Sequence, residues 1–220
     1  VFLWRAMMNQ FIQCPYDTYV FINPIMHIIV GLGNPGEEYK DSRHNTGRMI
    51  LETFRKGNDC SEWEGDKKKK AVVSEGKLKK ETLLLVEPDN FMNNSGKSIV
   101  SFVKNKKQAA QTVVIYDDLD LPVGTFKISF NRGSGGHRGL DSVIRALKTR
   151  EFVRIRVGIS PTTPSGKLKK PSGEKEVIRF IMGSFSPKDR ETLKKVSKKI
   201  SEALTIIIIS GRERAMGEFN

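Results

Sequence analysis

The chain has 220 residues, 38% hydrophobic and 29% charged, and 38 Lys and Arg against 25 Asp and Glu leave a formal net charge of +13. Such a composition excludes a disordered or collagen-like chain and supplies enough Val, Ile, Leu and Phe for a buried core. Length favours one domain, and the longest apolar run near the C-terminus, at residues 205–209, is far too short to cross a bilayer.

Residues 1–25 mix aromatics, Asn and Gln with neither a clean apolar stretch nor a small-residue cleavage site. They read as an N-terminal extension upstream of a natural start at Met26, with one domain over 26–210 and a C-terminal tail over 211–220. Strand signals fall at 27–32, 71–75, 82–87, 112–116, 125–130 and 152–159, and helix signals at 46–56, 95–106, 139–149, 174–182 and 187–208. In the last helix Leu193, Val196, Ile200, Ala203 and Leu204 keep one apolar face opposite a Lys-rich one. Alternation of this kind predicts an α/β fold: a single-domain three-layer α/β/α sandwich with a mostly parallel, mixed central sheet. Residues 160–173, rich in Pro, Thr, Ser, Gly and Lys, read as a mobile surface loop.

A strongly basic chain favours polyanionic partners such as RNA, DNA or an anionic surface. Its lysines cluster at 67–70, 104–107, 167–170 and 194–199, although any one such run is commonly a solvated face. Cys14 and Cys60 make no disulfide framework and have no zinc spacing, which fits a reducing, cytoplasmic setting. Three scattered histidines show no metal-ligand spacing, so the sequence displays no metal cluster.

Two motifs invite a nucleotide and fail on context. GLGNPG at 31–36 satisfies GxGxxG after a strand, yet it continues into a polar loop instead of opening a helix. Ser95-Gly96-Lys97-Ser98 resembles the end of a phosphate-binding loop, but Phe91 stands where that loop needs Gly. The glycine-rich stretch 133–139 precedes a helix and suits either a phosphate cradle or a permissive turn.

Three other segments, each at the end of a strand or the start of a helix, carry groups suited to hydrolysis. The first holds Asn34, Tyr39 and His44, the second Phe91, Met92 and Asn93, and the third Asp117 after an apolar run. A histidine takes a proton from water near neutral pH, and an aspartate fixes its tautomer. Asn amides suit a peptide carbonyl or a developing oxyanion. Neither a GxSxG elbow nor an activated cysteine is present, so direct attack by water on an ester or amide is the simplest chemistry.

These segments resemble the bacterial-type peptidyl-tRNA hydrolase family. The likeness is carried by GLGNPG at 31–36, Tyr39, Arg43-His44-Asn45, Phe91-Met92-Asn93-x-Ser95-Gly96, Asp117-x-x-Asp120-Leu121-Pro122-x-Gly124, Gly135-Gly136-His137 and Arg154-x-Arg156-x-Gly158-Ile159. The resemblance implies a monomeric, cofactor-free enzyme that hydrolyses the ester between a peptide and the 3′ ribose of tRNA, recycling tRNA from stalled ribosomes. By the same resemblance, His44 activates water and Asp117 orients it. Asn34 separates N-blocked from free aminoacyl esters, Met92 and Asn93 hold the peptide, and Tyr39 and Phe91 line the pocket for the 3′ end. Lys127, Arg132 and Arg156 occupy places where the family grips phosphate, and Lys167 and Lys169 in the 160–173 loop are expected to clamp the acceptor arm.

One position departs from the family. Arg138 stands where an Asn is usual, and a guanidinium donates hydrogen bonds but cannot accept them. It is expected to contact the substrate as a phosphate grip or an oxyanion donor, at some cost to water positioning. That departure keeps a second reading open, a non-catalytic RNA-binding protein on the same scaffold.

Overall fold

The computed structural model describes residues 26–220, so the extension expected at 1–25 lies outside the described residues. Among the described residues seven strands form one sheet: β1 (Met26–Gly31), β2 (Glu64–Asp66), β3 (Ala71–Leu78), β4 (Glu81–Pro88), β5 (Val113–Pro122), β6 (Phe126–Phe130) and β7 (Val153–Ser160). Their order is β2-β3-β4-β1-β5-β7-β6. The four central strands β4, β1, β5 and β7 run parallel, and β2, β3 and β6 join antiparallel at the edges.

The described residues form seven α-helices: α1 (Thr46–Gly57), α2 (Ser95–Ile99), α3 (Lys106–Gln111), α4 (Arg138–Leu147), α5 (Glu174–Met182), α6 (Pro187–Ser210) and α7 (Arg212–Phe219). The central strands are apolar on both faces, as a sheet covered on both sides requires. Ile29, Leu83, Leu85, Val113 and Ile115 face a core shared with Ile50 and Phe54 of α1, and Ile200 and Leu204 of α6. Their alternating neighbours Ile28, Val30, Val86 and Val114 face Ile99, Ala109, Leu140 and Val143, from α2, α3 and α4. The expected three layers are therefore present.

Departures from the sequence-based expectations have local causes. The helix expected over 95–106 is two: Asn105 accepts a hydrogen bond from the Gln108 N–H (2.9 Å) and so caps a new helix. The short edge strand β2 carries no alternation to betray it. Residues 211–220, expected as a tail, form a packed helix: Gly211, at φ +90°, ends α6 and redirects the chain. Ala215 is then buried, the Arg212 guanidinium lies 3.8 Å from the Phe130 ring centre, and the Asn220 amide bonds both the N–H and the C=O of Ile128 in β6.

α1 lies unusually close to the sheet. A Cβ on Gly47 would sit 2.4 Å from the Ile115 carbonyl oxygen and 2.6 Å from the Leu32 backbone, and one on Gly31 would sit 2.7 Å from the Gly47 carbonyl oxygen. The first glycine of GLGNPG thus serves the contact of helix and strand.

Candidate active site

β4, β1 and β5 share one C-terminal edge, but the chain leaves β1 for α1 on one face and β4 for α2 on the other. Connections diverging to opposite faces open a crevice at the strand ends, where α/β sheets bind ligands. Three sequence segments reach it: the loop after β1, the turn before α2, and β5 at Asp117. The strand runs on past Asp117 to Pro122, with its register to β7 broken between Asp118 and Pro122.

After β1 the chain makes two single 3-10 turns, Glu37–Tyr39 and Arg43–Asn45, before α1 begins. No helix opens on the glycines, which removes the pyrophosphate cradle of a dinucleotide site. The second turn buries His44 and Asn45. It is held from outside by Arg43, whose backbone N–H donates to the Gly183 carbonyl (3.0 Å). The Arg43 guanidinium donates to the Phe180 carbonyl (3.1 Å) and lies 4.3 Å from the Phe180 ring centre. The C-terminal end of α5 is thereby docked beside the site.

His44 Nδ1 lies 3.0 Å from both carboxylate oxygens of Asp117. Facing an ionised carboxylate, Nδ1 carries the proton and donates, which leaves the Nε2 lone pair free. Burial opposes a charged imidazole, and Arg138 opposes it too. The Asp117 charge and hydrogen bond outweigh both, and the His44 pKa lies above its usual 6.5. Asp117 is 4% exposed, and burial favours its neutral form, but its two imidazole neighbours hold the carboxyl well below the usual carboxylate range.

The second imidazole is His137, which has no assigned role in the sequence-based expectations. Its Nδ1 accepts from the Leu140 N–H (3.1 Å), capping α4, so the proton sits on Nε2, which donates to Asp117 Oδ1 (3.1 Å). The Tyr116 ring packs 4.9 Å away and fixes it from the side. Buried against Asp118, Tyr116 has a pKa pushed up to about 12 and stays neutral. In the sequence this histidine is legible only as the end of Gly135-Gly136-His137. Donor atoms of His44, Asp117 and His137 lie within 4.8 Å of one another, a spacing that could hold a metal ion. Hydrogen bonding already accounts for the arrangement, with each imidazole donating one proton to the shared carboxylate.

Asn34 is fixed by a different set of bonds. Asn45 clasps its backbone, accepting from the Asn34 N–H (2.8 Å) and donating to the Asn34 carbonyl (2.9 Å). The Asn34 side-chain oxygen accepts from the Met92 N–H (2.8 Å), which leaves its amide NH2 as the group available for a ligand. The bond also ties the loop after β1 to the turn before α2. Asn45 is thus a further residue missed in the sequence, where it only follows His44.

The predicted residues separate into layers. Asn34, His44, Met92 and Asp117 are buried together, while Asn93 and Phe91 are exposed at the mouth. Phe91 meets Tyr39 edge-on, with ring centres 6.3 Å apart. Arg138 is exposed and donates to Glu174 of α5. Lys127, Arg132 and Arg156 line one cleft of about 540 Å³ with the 133–135 loop, Tyr116 and Asn220, and Arg156 is partly neutralised by Asp118 at 2.6 Å. Lys167 and Lys169 stand apart from that cleft, on the 160–173 loop. This loop is folded on itself by bonds from the Lys169 N–H to the Pro161 carbonyl (2.8 Å) and from the Lys167 N–H to Thr163 Oγ1 (3.0 Å).

Known proteins resemble this chain in sequence and in fold. A family model described as peptidyl-tRNA hydrolase matches residues 28–220. The chain is 40% identical over 197 residues to a peptidyl-tRNA hydrolase of Herpetosiphon aurantiacus, an alignment covering 89% of this chain and 90% of the relative. A peptidyl-tRNA hydrolase of Dehalococcoides mccartyi is 36% identical over 199 residues, covering 89% and 100%. Among solved structures, the peptidyl-tRNA hydrolase of Acinetobacter baumannii superposes with a TM-score of 0.78 at 26% identity, over 89% of this chain and 94% of that one. With the match running through the whole described core, the chain belongs to the peptidyl-tRNA hydrolase family.

Proposed function

We propose that this protein hydrolyses the ester between a peptide and the 3′ ribose of tRNA, with His44 as the general base. The observation that carries the reading is the buried Asp117 carboxylate bonded to His44 Nδ1, which leaves Nε2 as the free base. Nε2 takes a proton from water as the water oxygen attacks the ester carbonyl. Asp117 stabilises the resulting imidazolium. Collapse of the tetrahedral intermediate breaks the bond to the ribose oxygen, which takes the proton back from His44. The products are a peptide acid and a tRNA with a free 3′ hydroxyl.

Asn34 supplies specificity through its free amide NH2. A peptidyl group offers that donor an acceptor in its preceding peptide carbonyl, whereas a free aminoacyl group offers an ammonium that can only donate. Asn93 and Met92 hold the peptide backbone, Tyr39 and Phe91 frame the 3′ end, and Arg138 brings positive charge toward the developing oxyanion. Lys127, Arg132 and Arg156 grip phosphate in their shared cleft, and Lys167 and Lys169 add charge along the acceptor arm. The enzyme works in this reading as a cytoplasmic monomer without a cofactor.

The test follows release of an N-acetyl-aminoacyl group from tRNA by the protein and by His44→Ala, with unblocked aminoacyl-tRNA as the control. Release that needs His44 and spares the unblocked ester is the expected result. Tight tRNA binding without turnover would replace this reading with the non-catalytic one.

A further inference from the structure

The lysines at 67–70 form the longest unbroken basic run in the chain and have no part in the site so far. Topology places them. β3 pairs antiparallel with β4, and Ala71 stands opposite Pro88, so β3 begins where β4 ends. The turn at 67–70 immediately precedes Ala71 and therefore sits on the same sheet edge as His44 and Asp117. At about 4.8 Å per strand, β3 lies about 10 Å to one side of β1, and β6, with Lys127, lies about 14 Å to the other.

The turn is fastened to the substrate loop. The Lys70 carbonyl accepts from the Asp89 N–H (2.8 Å) and from Ser98 Oγ, and Ser98 Oγ in turn accepts from the Asn90 amide (2.7 Å). Asp89, Asn90 and Ser98 bracket Phe91, Met92 and Asn93. Lys69 spends its charge on Asp66 at 2.7 Å and reaches the Phe102 ring. Lys67, Lys68 and Lys70 are exposed and, among the described residues, form no ion pair. Three free ammonium groups on a braced turn, level with the catalytic crevice, are arranged for a chain of phosphates and not for a single carboxylate.

We propose that the turn at residues 67–70 is a second phosphate contact for the substrate RNA, on the flank of the crevice opposite the Lys127, Arg132 and Arg156 cleft. This rests on the reading that the substrate is a peptidyl-tRNA, and it adds that the RNA is held from both sides of the scissile ester. Its bonds to the loop before α2 couple RNA docking to the placement of Asn93.

The test measures binding of deacylated tRNA, which carries no peptide, against salt concentration for the wild-type chain and for the triple variant Lys67→Gln, Lys68→Gln, Lys70→Gln. A charge-matched triple variant on the exposed face of α6 (Lys195→Gln, Lys198→Gln, Lys199→Gln) separates a specific contact from a loss of overall field. Removing one phosphate-bound ammonium lowers the slope of log K against log salt by about 0.7 to 0.9. The slope of the 67–70 variant should therefore fall by about 2 to 3, and that of the α6 variant by less than 1, with both melting as the wild type does. Equal slopes in all three proteins would overturn the proposal. So would an unchanged slope joined to slower release of acidic peptides, which would make the turn a peptide contact. If the wild-type chain released no N-blocked ester, the proposed reaction would fail while the slopes still judged the RNA contact.

Discussion

Gly47→Ala is the most informative single change, because it asks whether the close approach of α1 to the sheet positions His44. The new methyl would lie 2.4 Å from the Ile115 carbonyl oxygen and 2.6 Å from the Leu32 N and O, where ordinary contact begins near 3.4 Å. These obstacles are backbone atoms of β5 and of the chain leaving β1, so they cannot swing aside as a side chain would. α1 must instead lift by up to about 1 Å, and His44 lies three residues before Gly47. Overpacking of this kind costs about 1 to 3 kcal/mol, which in a chain of this size is a fall in Tm of about 2 to 12 °C. If His44 is the base proposed above, a displacement near 1 Å should lower the rate on the order of 100-fold. Thermal melting and kcat/KM on N-acetyl-aminoacyl-tRNA read the two effects. Gly57→Ala is the control, since a Cβ at that end of the same helix meets nothing within 4 Å. A Gly47→Ala protein that melts within 1 °C of wild type and keeps its rate would refute the packing argument.

The remaining predictions concern the groups around Asp117. His137→Asn keeps a side-chain oxygen to accept the Leu140 N–H, so the cap survives, but it is too short to reach Asp117. Tm should fall with the loss of one hydrogen bond to a buried carboxylate, about 1 to 3 kcal/mol, and kcat should fall with it, whereas equal kcat would show that the second imidazole is only a cap. For the pH profile the sign follows from the charges. In the proposed mechanism His44 acts as the neutral base, so activity should fall as pH drops through its raised pKa. Arg138 holds that pKa down, and Arg138→Asn should move the acid limb of kcat/KM to higher pH; a shift to lower pH, or none, would remove Arg138 from the field at His44. The Asp117 charge holds the same pKa up, so Asp117→Asn should move the limb to lower pH as it reduces kcat.

Much of this architecture is written in local pattern. Both faces of the parallel strands are apolar, and an alternation of the Ile29 kind, with neighbours Ile28 and Val30 on the opposite side, identifies central strands without any tertiary information. Helix periodicity places α1, α4, α5 and α6 within a residue or two, and the GLGNPG and FMN segments mark the loops of the crevice. Pattern fails where no period exists. β2 is three residues long, and the break between α2 and α3 depends on one cap at Asn105. The helix after Gly211 has little amphipathic signal and gains its order from contact with β6.

The site divides in the same way. Asn34, His44 and Asp117 are legible as chemistry only through their joint occurrence and the family resemblance, because singly each suits a turn, a surface loop or the end of a strand. Only the folded chain could assign His137 and Asn45, since a hydrogen bond between residues 20 apart, or 11 apart across two turns, has no local signature. The basic residues make the point most plainly. Charge runs along the chain look alike, and the strand order alone separates the lysines that share an edge with the buried Asp117 carboxylate from those that lie along the outer face of α6. Side-chain chemistry is local and can be read residue by residue, whereas convergence depends on register and crossover, which are properties of the whole sheet.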